Sequence, residues 1–75
     1  MELRAVVGVS NNSSTSIVVY VEPWADSFVL AAGERQTITA IGAAKLPWFN
    51  VVYSDGAVQV YVEDAETFST TAVLA

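Results

Sequence analysis

The chain contains no cysteine and no histidine. The first absence excludes disulfides and thiolate metal sites as supports for the fold. The second removes the commonest general base and the commonest metal ligand. Cations are almost as scarce: Arg4, Arg35 and Lys45 stand against eight acidic residues, for a net charge of −5. Three scattered positive charges neither neutralise a run of phosphates nor hold a chain on an anionic bilayer surface. Nucleic acid and membrane are therefore not expected as partners. No apolar run approaches the length that spans a bilayer. The start, Met1 to Val9, places only a short apolar stretch behind Glu2, which makes a poor signal peptide. The expected location is the cytoplasm.

What the chain has in abundance is apolar side chains, 53% of its 75 residues, with a mean hydropathy of +0.46. That length makes one domain, residues 1–75, near the lower limit for a chain that folds unaided. So small a body has little interior, and part of the apolar surplus is expected to lie under a second copy or a partner.

The strongest local signal is Trp48-Phe49-Asn50-Val51-Val52-Tyr53-Ser54, then Asp55-Gly56, then Ala57-Val58-Gln59-Val60-Tyr61-Val62-Glu63. Asp-Gly is a preferred pair for a type I′ turn, whose two central residues both need φ > 0. With Asp55 and Gly56 at the turn, Ser54 faces Ala57. Counting outward pairs Tyr53 with Val58, Val51 with Val60 and Phe49 with Val62 on an inward face. The other face pairs Val52 with Gln59, Asn50 with Tyr61 and Trp48 with Glu63.

Alternating apolar positions also predict strands over residues 3–9, 16–22, 27–30, 35–41 and 67–74, separated by turn clusters such as Ser10 to Ser14 and Ala31 to Glu34. Ala43 to Leu46 has the composition for one helical turn inside a loop. The expected fold is all-β, a small antiparallel sandwich or barrel of six or seven short strands. Parallel pairing would call for longer connections than the chain offers. Val19-Tyr20-Val21-Glu22 recurs as Val60-Tyr61-Val62-Glu63, an echo that fits convergence on good strand residues or a duplication with two equivalent edges.

The stretch Glu22-Pro23-Trp24-Ala25-Asp26, followed by Phe28, Leu30 and Gly33-Glu34, resembles a pattern in small uncharacterised bacterial β-proteins, Glu-Pro-Trp-Gly-acid, an aromatic, then Pro-Gly-acid. Ala25 replaces the glycine and Ala32 the proline. The resemblance covers residues 17–38 and implies no activity.

Catalysis is not expected, because hydroxyl nucleophiles lack an oriented base. The acid pairs Glu22 with Asp26, and Glu63 with Asp64 or Glu66, read as solvated strand ends. A calcium site from Glu63, Asp64 and Glu66 lacks the glycine-punctuated loop such sites use. No cofactor is expected. The remaining candidate is the hairpin's second face: Trp48, Asn50, Gln59, Tyr61 and Glu63, extended by Tyr20 and Trp24 if the second strand lies alongside. The foremost reading packs this face against the other sheet. The next makes it a subunit interface of a homo-oligomer, for which Trp and Tyr are favoured anchors. The third stacks sugar rings on its aromatics, making the chain a small carbohydrate-binding module.

Overall fold

Seven strands and no helix form over residues 2–73, the part of the chain that the computed structural model describes. They are β1 (Leu3–Ser10), β2 (Ile17–Glu22), β3 (Asp26–Leu30), β4 (Arg35–Gly42), β5 (Trp48–Ser54), β6 (Ala57–Glu63) and β7 (Thr67–Val73). Each begins and ends within one residue of its expected position, and Leu74 lies outside the described residues. Ala43 to Leu46 bends without forming a helical turn.

The strands make two sheets, β1-β4-β7 and β3-β2-β6-β5, and the chain passes between them at the β1–β2, β3–β4, β4–β5 and β6–β7 connections. The two layers fit within 41 × 25 × 15 Å. The fold is thus a small β-sandwich. Asp55 and Gly56 have φ of 48° and 77°, and every β5–β6 pair from Trp48–Glu63 to Ser54–Ala57 stands in the register counted from that turn.

One expectation is corrected. β2 and β6 pair in parallel, with Val19 beside Val58 and Val21 beside Val60. The long connection this needs is made of strands: β3, β4 and β5 lie between them in the chain, and β4 crosses to the opposite sheet. The Val-Tyr-Val-Glu echo therefore marks the two central strands of one sheet, not two equivalent edges.

The core is the space between the sheets. Ile17, Val19 and Val21 of β2, Leu30 of β3, and Val58, Val60 and Val62 of β6 meet Val9 of β1 and Ile38 and Ala40 of β4. Phe28, Phe49 and Phe68 pack around this cluster. Valine dominates because its branched Cβ suits a pleated surface whose two faces differ.

One polar side chain is buried with the core. Asn11 is 2% exposed, and its Nδ2 donates to the carbonyls of Thr15 (2.8 Å) and Leu30 (3.0 Å). Its Oδ1 accepts from the N–H (3.0 Å) and Oγ–H (2.7 Å) of Ser13. All the hydrogen-bonding capacity of the amide is used. The backbone of Asn11 bonds Gly33 and Glu34 as well, so the β1–β2 loop is tied to the β3–β4 turn.

Candidate binding surface

Pleating sends alternate side chains to opposite sides, and Val58, Val60 and Val62 take the core side of β6. Gln59, Tyr61 and Glu63 must then face outward. The reading that packed Trp48 and Tyr61 against the second sheet is overturned: the other face of the hairpin does that.

Register builds the outer surface row by row. Tyr20 lies beside Gln59, which faces Val52, and Glu22 lies beside Tyr61, which faces Asn50. Trp48 faces Glu63 at one end, while Val29, Val18 and Ala57 make the row toward the other. Six of the seven expected site residues, Tyr20, Trp48, Asn50, Gln59, Tyr61 and Glu63, therefore share one face of the four-stranded sheet. Trp48, Val52, Val29 and Tyr20 are exposed there, Trp48 at 52%.

Trp24 does not join them. Its position in the β2–β3 turn carries the indole toward the other sheet, where it packs on Phe68 of β7 with ring centroids 4.6 Å apart and planes tilted by 42°. Phe68 in turn packs against the core, and Trp24 is withdrawn from the site.

The polar groups at the rim are partly engaged. Trp48 Nε1–H donates to Asp64 Oδ2 at 3.2 Å, and Lys45 Nζ lies 4.0 Å from the other carboxylate oxygen. Glu22 Oε1 accepts from the Ala25 N–H at 3.1 Å, which fastens this carboxylate to the turn beside it. Among the described residues, no group of three or more acidic, histidine or cysteine side chains is placed to hold a metal ion. No helix there is long and apolar enough to cross a membrane.

Sequence reasoning missed a second exposed set. Val51 and Tyr53 lie on the core side of β5, as expected, yet they are 49% and 69% exposed. The cause is position in the sheet. β5 is an edge strand, and the opposing sheet is one strand narrower. A depression of about 360 Å³ at this open side runs between Tyr53 and the Ser10–Ser13 loop. Alternation along β5 carries no signal of it, because a side chain's face and the presence of something opposite are separate facts.

Comparison of this chain with protein-family models, curated proteins and solved structures finds no match.

Proposed function

We propose that this chain is a non-catalytic β-sandwich that works by self-association, its contact surface centred on β5 and the adjoining outer face of the four-stranded sheet. One observation carries the reading. Of nine exposed large hydrophobic side chains among the described residues, four (Trp48, Val51, Val52 and Tyr53) belong to the seven residues of β5. Tyr20 and Val29 add exposed apolar side chains to the same outer face on β2 and β3, beyond β6. Charge is confined to the rim of this face, at Glu22 and Glu63, as in interface cores. Burying a large apolar side chain there contributes about 1.5–3 kcal/mol, a sizeable share of what so small a core supplies alone.

Sugar binding is the second reading, favoured by the rows that set Gln59 beside Tyr20 and Asn50 opposite Tyr61. The indole N–H of Trp48 is already given to Asp64, which leaves that ring only its faces for a ligand.

Trp48→Ala and Tyr61→Ala separate the two. Self-association predicts that Trp48→Ala, on β5 itself, sediments closer to 8.0 kDa than the wild type and melts at lower temperature, and that Tyr61→Ala, one strand in, does the same where the contact extends over the outer face. Sugar binding predicts unchanged mass with loss of signal on a glycan array. Variants indistinguishable from the wild type in mass, melting and glycan binding sink both.

A further inference from the structure

The way the β5–β6 hairpin turns decides which backbone groups of β5 are free. In a type I′ turn the carbonyl of the first residue accepts from the N–H of the fourth, so Ser54 and Ala57 are a hydrogen-bonded pair. Bonded and non-bonded pairs alternate along an antiparallel ladder. Val52, Asn50 and Trp48 therefore bond to β6, and the N–H and C=O groups of Phe49, Val51 and Tyr53 point away from it, along the open edge. Two of these residues, Val51 and Tyr53, also leave their side chains uncovered.

Folded proteins usually guard such edges with charge, proline, a bulge or brevity. Among the described edge strands, β1 carries Arg4 and β3 has five residues with Asp26; β7 is as long as β5 and equally without charge or proline, but four of its seven residues are Ser or Thr and it contributes none of the large exposed hydrophobic side chains. β5 has seven residues, no charge and no proline.

We infer that β5 pairs antiparallel with β5 of a second copy about a two-fold axis through Val51, joining two four-stranded sheets into one of eight. The inference rests on the self-association reading and adds the hydrogen-bonding geometry of the contact. The register follows from the free groups. Only an axis at Val51 uses all three outward-pointing residues of both copies, for about six backbone hydrogen bonds between chains. Val51 then faces its own copy, Phe49 faces Tyr53, Asn50 faces Val52 and Trp48 faces Ser54. The inner-face pairs are aromatic with aromatic and valine with valine, combinations that stabilise neighbouring strands. No like charges meet within the paired strands, although each chain carries −5. A two-fold contact consumes both β5 edges and stops at a dimer.

Val51→Lys tests the pairing. The side chain is half exposed and its N–H makes no bond to β6, so the fold tolerates the change, while two lysines would face each other at the axis. Wild type is expected to sediment at twice 8.0 kDa, Val51→Lys at 8.0 kDa with unchanged circular dichroism, and Val51→Thr as the wild type. In the wild-type dimer the amides of Phe49, Val51 and Tyr53 exchange slowly, and in Val51→Lys they exchange as exposed amides do. Those of Asn50 and Val52 stay protected in both. A dimeric Val51→Lys, or fast exchange at 49, 51 and 53 in the wild-type dimer, overturns the pairing. If Val51→Lys unfolds, the wild-type exchange pattern decides alone. If Tyr20→Ala, two strands from the seam, dissociates the protein while Val51→Lys does not, the contact is face to face: self-association stands and the edge falls. A wild type of 8.0 kDa at every concentration removes both readings, and a mass above twice that value overturns the closed pair.

Discussion

Asn11 holds the β1–β2 loop through an amide whose two donors and one acceptor oxygen are all engaged inside the protein. Truncating it leaves the Leu30 carbonyl without its 3.0 Å partner in a region closed to solvent. Orphaned buried polar groups cost about 1–3 kcal/mol each. Asn11→Ala is expected to lose about 2–3 kcal/mol in urea unfolding, with an unchanged slope. A loss below about 0.5 kcal/mol, the scale of ordinary surface changes, would mean that water replaces the amide. The sequence marks Ser10 to Ser14 as a turn cluster, because such side chains bond nearby backbone. It does not mark which one is buried. One acceptor lies nineteen positions away, a distance only the fold closes. Gly42 is similar: a Cβ there would stand 2.8 Å from the Asp64 carbonyl oxygen, a close approach between segments that no local pattern announces.

At the scale of the elements, turn chemistry and alternation act together. The β5–β6 register follows from Asp55-Gly56 because both residues take the positive φ that a tight hairpin needs. The β2–β3 turn makes the same demand less comfortably. Ala25 sits at φ 56°, where a Cβ crowds the backbone and glycine would not. Ala25→Gly is expected to stabilise the fold by about 1 kcal/mol, the lower end of that steric penalty. In a domain of this size, calorimetry would read a melting temperature raised by about 4–8 °C. A lower melting temperature would show that unfolded-chain entropy outweighs the relief. The neighbours of each strand were less legible. The inward valines of β2 and β6 look alike in sequence, and nothing in either says that they lie side by side in parallel.

Considered as a whole molecule, the protein has an accessible surface of 4695 Å², close to the about 4,450 Å² expected for a folded chain of 8.0 kDa. Its area is thus ordinary, and the apolar surplus shows in which side chains the surface carries. Their concentration on β5 turns a general expectation of cover into a located one. Net charge opposes association, since each copy brings −5 and β5 brings none of the ions. Salt screens that long-range repulsion, with a Debye length falling from about 30 Å at 0.01 M to about 10 Å at 0.1 M. The dimer is expected to tighten several-fold between these concentrations in sedimentation equilibrium. A dimer that dissociates as salt rises would point to ion pairs across the contact and against an uncharged seam.

From residue order alone come the seven strands, the side of each that is apolar, the hairpin register and the gathering of Trp48, Asn50, Gln59, Tyr61 and Glu63 on one surface. All of these depend on period-two alternation and on φ at a few turn positions, which are local quantities. Tertiary structure alone decided that β2 runs parallel to β6, that the tryptophan-bearing face looks outward, that Trp24 turns to Phe68, and that β5 is left at an edge. The physical reason is that many strand orders satisfy the same inward and outward pattern. Choosing among them depends on how buried faces from distant segments fit together.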